Sequence, residues 1–369
     1  MKCWRSVRNT ILGLCAVAFV AGTKPALASD KKGDLLTDSF RKTGVQVETI
    51  FKRPMVNSDF NLCEYEDYKN VYDSKEEVNE TGLKARIKSS VSGIGYLTLD
   101  VEHSVIPVKS TMHSVASSSY ESDGLYTSYY SYDWSSKVKN ENTNISAIFS
   151  GCIGRMEIGL GPTIVIRRST GKTTSYSIDK SSYTYGDYTS VDTVAQEYNS
   201  EDITDATLNG GKATLSFRAR VPIDIELYVF SGKNHKSYKY TSKEHDEEYE
   251  VQGSTVTTWS YDYKYESDYV YPPEKVRVAG VKIGFPITYK GLSIFPAYVS
   301  EVEKVEAEES KTKTMKDKLE IKLKYGYGCF VFGIHYDYTI TTTKYETEDC
   351  NSKSKETADT FGISVGVEF

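Results

Sequence analysis

Thr357 Ala358 Asp359 Thr360 Phe361 Gly362 Ile363 Ser364 Val365 Gly366 Val367 Glu368 Phe369 closes the chain. Phe361, Ile363, Val365, Val367 and Phe369 occupy odd positions, while Thr360, Gly362, Ser364, Gly366 and Glu368 occupy even ones. Strict alternation of this kind puts every apolar side chain on one face of an extended strand and the small or polar set on the other. The segment is therefore predicted to be a half-buried strand. It runs to the last residue and stops on an aromatic ring, without the frayed polar tail that usually follows a strand at the end of a soluble domain.

The opposite terminus carries an export pattern. Lys2, Arg5 and Arg8 precede an apolar run from Ile11 to Ala21, and Ala26 Leu27 Ala28 stands before Ser29. This reads as a cleavable secretory signal over residues 1–28. The run is shorter than the roughly 18 to 20 apolar residues that a spanning helix needs, and no later stretch reaches that length. Removing 28 of the 369 residues leaves 341, the length of one domain, and takes the formal charge from −6 to −10. An acidic chain of this kind is not expected to bind nucleic acid.

With the export signal in place, the terminal strand resembles the last strand of a bacterial outer-membrane β-barrel, a family whose members end on Phe as an insertion signal. The resemblance makes Phe369 that signal. It implies insertion into outer-membrane lipid with the help of the barrel-assembly machinery. It also implies an all-β, transmembrane, antiparallel up-and-down barrel, with short periplasmic turns and long extracellular loops. The 30 Tyr, against 13 Phe and 3 Trp, suit such a wall, because Tyr favours both extended strands and membrane interfaces.

The chain in between repeats one unit: strand, short turn, strand, long polar connection. After a polar lead over residues 29–42, a single barrel is expected over 43–369. Its first strand is Val45 to Phe51, and the second is Gly82 to Val91. The second turns at Gly93 Ile94 Gly95 into Tyr96 to Pro107, and later strands pair as Ile145 to Cys152 with Met156 to Arg167 and Ala213 to Val221 with Ile223 to Phe230. Val276 to Tyr289 then pairs with Leu292 to Val305, and Leu319 to Tyr327 with Phe330 to Ile340. With the terminal strand this gives about twelve, with ten or fourteen as alternatives. Val276 and Val278 sit out of phase with Val281, Ile283, Phe285 and Ile287, which a bulge would reconcile. The long connections are centred near Tyr68, Tyr126, Tyr185, Tyr249, Thr312 and Asn351. Tyr alternates with small polar residues from Tyr126 to Trp134 and from Trp259 to Tyr271, so strands are expected to rise past the membrane.

The inward set is charged with both signs. A turn centred on Ile94 sets Lys88 opposite Asp100 and Arg86 opposite Glu102; one centred on Pro222 sets Arg220 opposite Asp224 and Arg218 opposite Glu226. Lys322 and Lys324 point the same way. Such a lumen is either wet or tightly ion-paired, since unpaired charges are not left in a dry interior. A porin-like channel for small hydrophilic solutes is the expected function, and assembly as an oligomer is compatible with it.

If Tyr327 faces Phe330 across its turn, Glu320 faces Asp337 and Lys322 faces His335. This inward His and acid cluster, taken with Asp100 and Glu102, is similar to the His and Asp pair facing an acidic pair in omptins, the outer-membrane proteases. That resemblance implies a surface protease as an alternative function. A third alternative, an adhesin or receptor, uses the Tyr-rich segments for contact. His245 Asp246 Glu247 Glu248 reads as a solvated loop. No zinc spacing, phosphate loop or nucleophile elbow is present in the sequence, so no metal or other cofactor is expected, and Gly159 and Gly161 read as small wall residues.

Four cysteines, Cys63, Cys152, Cys329 and Cys350, remain after the signal. In a closed barrel the first and last outer loops are neighbours, which predicts a Cys63 to Cys350 disulfide across the seam. Cys152 and Cys329 fall near different turns and are left free or bonded between chains.

Overall fold

The computed structural model describes residues 44–59, 71–91, 94–121, 124–218, 222–289, 291–308, 310–347 and 351–368. Fifteen strands form one antiparallel sheet: β1 (Gly44–Asp59), β2 (Val71–Val78), β3 (Glu80–Val91), β4 (Gly95–Glu121), β5 (Leu125–Ile153), β6 (Met156–Tyr185), β7 (Tyr188–Phe217), β8 (Ile223–Gln252), β9 (Thr255–Val270), β10 (Glu274–Gly284), β11 (Ile287–Tyr289), β12 (Leu292–Glu306), β13 (Lys311–Tyr327), β14 (Phe330–Glu346) and β15 (Asn351–Glu368). The path runs β1, β3, β4 and on through β8, then from β8 to β10, β12, β13, β14 and β15, which returns to β1. With β2, β9 and β11 outside that circuit, twelve strands close a ring and leave no edge in it. The signal, the polar lead, Cys63, Arg220, Cys350 and Phe369 lie outside the described residues.

Tight turns set the register. Tyr185 pairs with Tyr188 and Tyr327 with Phe330 across two-residue connections whose first residues, Gly186 and Gly328, have φ of +54° and +62°. A two-residue hairpin needs a positive φ there, which glycine adopts without strain.

The segments expected as long loops are largely strand. Tyr126 to Trp134 belongs to β5, His245 to Glu248 lies in β8, and Trp259 to Val270 forms most of β9. β6, β7 and β8 are each 30 residues long, against 17 for β13 and β14. Crossing a membrane takes about 9 to 11 tilted residues, so the β4 to β9 side stands far above the membrane as a tall wall. The expectation of strands rising past the bilayer is met, and the polar connections capping them are short.

Candidate functional site: the ion-paired lumen

The outer face of the ring carries an apolar belt. Tyr327, Tyr325, Leu323, Ile321 and Leu319 on β13, and Phe330, Phe332, Ile334 and Tyr338 on β14, are all exposed large side chains. Both runs cover nine residues of strand, the height of a hydrocarbon core, with tyrosines at the rims. Phe361, Ile363 and Val365 on β15 and Ile158, Leu160, Ile164 and Ile166 on β6 continue the belt. Their strand neighbours, pointing the other way, are small, polar or charged: Gly362 and Ser364 on β15, Gly159 and Thr163 on β6, and Lys318, Glu320, Lys322 and Lys324 on β13. The chain has the outer-membrane β-barrel fold.

Solved structures similar to the barrel include the translocator domain of the autotransporter NalP from Neisseria meningitidis, at 13% identity over 89% of this chain and 90% of that one, TM-score 0.35. The β domain of the Bordetella autotransporter BrkA is similar at 11% identity over 89% and 99%, TM-score 0.36. The Pseudomonas putida toluene transporter TodX is similar at 9% identity over 89% and 90%, TM-score 0.28. At these values the likeness says nothing of what the barrel binds or moves. No family model matches the chain, and no curated protein matches it in sequence.

Inside the barrel, neighbouring strands bring opposite charges together. Arg86 faces Asp100 and binds it through two hydrogen bonds of 2.7 and 2.8 Å. Lys84 faces Glu102, with the charges 3.8 Å apart. The expected pairings here slip by one inward position, because Val91 pairs with Gly95 and the turn is centred before Ile94. Lys88 therefore faces Thr98 and reaches instead to Glu157 on β6 at 2.8 Å. Below Pro222 the slip is larger, two inward positions, with Thr214 opposite Glu226 and Ser216 opposite Asp224. Phe217 pairs with Ile223, so Arg218 lies past the end of β7 and bonds Asp224 at 3.0 Å, while Glu226 is bridged by Lys212 at 3.0 Å.

The β13 to β14 register is the expected one, with Glu320 opposite Asp337 and Lys322 opposite His335. What surrounds these residues is a lysine cluster. Glu320 contacts Lys282 at 2.5 Å, Lys318 at 3.0 Å and Lys322 at 3.3 Å. Asp337 contacts Lys52 at 2.8 Å and Lys318 at 3.0 Å. His335, buried, is hydrogen-bonded through Nε2 to Ser364 Oγ at 2.7 Å and lies 3.5 Å from Glu48, which Lys324 also grips. Each acid of the omptin-like set is thus held by a cation. Asp100 and Glu102 stand on β4, separated from β14 by β3, β1 and β15 around the wall.

Val276 and Val278 need no bulge. β10 pairs without interruption with β8 and β12, and both valines point into the lumen. There they join Val165, Ala206, Leu208 and Phe230 in a buried cluster, flanked by Tyr228 and Val305. The cluster lies in the third of β6, β7 and β8 nearest the short turns, next to Arg167 with Glu303 (2.5 Å) and Tyr228 with Glu301 (2.7 Å). On the other side of the lumen the wall is not packed shut: the side chains of Lys84, Arg86 and Glu102 are 33%, 46% and 52% exposed despite lying inside a closed ring. Sequence reasoning missed Glu48, Lys52, Lys282, Lys318, Glu301 and the apolar cluster. The parity of the five charges on their strands is the signal that finds them.

Cys152 and Cys329 are free thiols at the short-turn end. The Cys63 to Cys350 pairing lies outside the described residues.

On the tall wall His245 in β8 is hydrogen-bonded through Nδ1 to Asp262 of β9 at 2.8 Å. That bond, and then the charges of Asp262, Glu247 and Asp246, raise its pKa above the ordinary 6.5. A raised folded value makes the contribution complete below the unfolded pKa and lost as pH rises through the folded one. The β8 to β9 hairpin should therefore be nicked by protease more slowly at pH 6 than at pH 8. In His245→Gln the difference between the two pH values should vanish.

Proposed function

We propose that the barrel is a porin-like channel of the bacterial outer membrane for small hydrophilic solutes, its tall wall facing outward. The observation that carries this reading is the loosely packed, charged half of the lumen. Lys84, Arg86 and Glu102 remain open to water at the height of the apolar belt, where a plugged barrel would seal them. The ion pairs and the apolar cluster on the remaining strands narrow the passage and restrict it to small solutes. Purified, folded protein in planar bilayers should give stepwise conductance; its absence would leave a closed barrel and end the channel reading. A protease role has no comparable support, since each carboxylate that would serve it is neutralised by a lysine or arginine.

A second reading rests on the tall wall. Tyr198, Tyr238, Tyr240, Tyr265 and Tyr269 form a continuous aromatic patch on its inner face, with Tyr240 5.6 Å from Tyr198 and Tyr238, 5.5 Å from Tyr265 and 6.3 Å from Tyr269 between ring centres. Such paving suits recognition of an external ligand. Deleting β9 should remove surface binding and leave conductance intact.

A further inference from the structure

We propose that the lysine cluster around Glu320 is an anion-binding site that makes the lumen select for small phosphate- or carboxylate-bearing solutes, an inference that rests on the channel reading for its transport consequence but not for its binding. Among the described residues, four ammonium groups, those of Lys52, Lys282, Lys318 and Lys322, contact two carboxylates, Glu320 and Asp337. The two carboxylates are buried, at 9% and 2% side-chain exposure, so their charge is spent on the wall side of the cluster. Lys282 and Lys322 share one oxygen, Oε2 of Glu320, and both keep a third of their surface or nearly so, 34% and 27%, toward the lumen. The cluster thus carries a net excess of two positive charges on its lumen side.

The rest of the surroundings does not cancel this excess. Glu102 of β4 is within electrostatic reach of Lys52, Lys282 and Lys322, but its own charge is matched by Lys84 of β3 at 3.8 Å, as that of Asp100 is by Arg86. Lys324 is matched by Glu48 below the cluster. Above it on β13, Lys316 also points inward, opposite Glu301, whose carboxylate already accepts the Tyr228 hydroxyl. An oxyanion seated between Lys282 and Lys322 would accept hydrogen bonds from both ammonium groups, and these charge-assisted bonds are the strong kind. A cation entering the same place meets net repulsion at close range in a medium less screening than bulk water.

Two measurements test this. In bilayers under a salt gradient, the reversal potential should show preference for chloride over potassium, and sulfate should reduce chloride current at low millimolar concentration. The variant Lys282→Gln with Lys322→Gln leaves Glu320 its Lys318 partner and should lose the preference. Independently of conductance, calorimetric titration of sulfate into the detergent-folded protein should show one saturable site, weakened by about tenfold or more in the double variant. Cation preference in the wild type, or sulfate binding equal in wild type and variant, overturns the proposal. A barrel that binds sulfate through these lysines but conducts nothing keeps the site and removes only the channel.

Discussion

Glu320→Gln should lower the stability of the folded barrel by about 3 kcal/mol, the low end of the range for removing one partner from a buried ion pair. The carboxylate is the common counter-ion of Lys282, Lys318 and Lys322, and no second acid touches Lys282 or Lys322 among the described residues. With a neutral amide in its place, three ammonium groups face one another across a few ångströms. Their partial access to lumen water keeps the cost from rising further. Urea unfolding in lipid vesicles, followed by circular dichroism, should show the midpoint fall, and Lys322→Gln should move it much less because Glu320 keeps two partners. Equal midpoints for Glu320→Gln and wild type would mean that the cluster carries no electrostatic load.

A large packing effect is expected at Gly210. It lies on β7 opposite Phe230, whose ring covers it from β8. A Cβ at this position would stand 1.9 Å from the Val229 carbonyl oxygen and 2.8 Å from the Phe230 Cα, both backbone atoms of the neighbouring strand. Neither can turn aside as a side chain can. Gly210→Val should therefore pry β7 from β8 and cost about 3 kcal/mol or more, through overpacking and the loss of the buried lumen cluster. Next to it, Gly211 faces outward and a Cβ there would come no closer than 3.6 Å to Gly161. Gly211→Ala should be nearly neutral. Heat-resistant migration of the folded barrel in gels separates the two, and a fully folded Gly210→Val barrel would show that the close approach is not rigid.

The strand pattern was legible because lipid and lumen impose opposite demands on alternate residues. Phe361, Ile363 and Val365 show it most clearly, and the Gly328 turn was short enough to give the β13 to β14 register outright. Longer turns hid theirs: a shift of one inward position near Gly93 and of two near Pro222 exchanged the partners of Arg86 and Arg218. Val276 and Val278 misled for a different reason. Equating apolar with lipid-facing holds only where the lumen is wet, and these two valines meet a dry patch supplied by Leu208 and Phe230, from strands far apart in sequence. The Tyr-rich segments resembled loops because above the membrane neither face of a strand need be apolar. Of the candidate site, the charges were readable one strand at a time, whereas the crowding of lysines on Glu320 depends on three strands meeting side by side.

The ring closes between β1 and β15, and its inner ion pairs reach past that joint: Lys52 of β1 to Asp337 of β14, and Lys324 of β13 to Glu48 of β1. The paired residues are 285 and 276 positions apart in sequence, whereas most other strand contacts lie within single hairpins. Contacts of such separation wait for nearly the whole chain to be in place, so they belong to the end of assembly. Interactions made after the rate-limiting step do little for the speed of folding and act mainly to slow its reversal. Glu48 and Asp337 thereby act as a late latch, and their effect should be read in how long an inserted barrel lasts, not in how fast it forms.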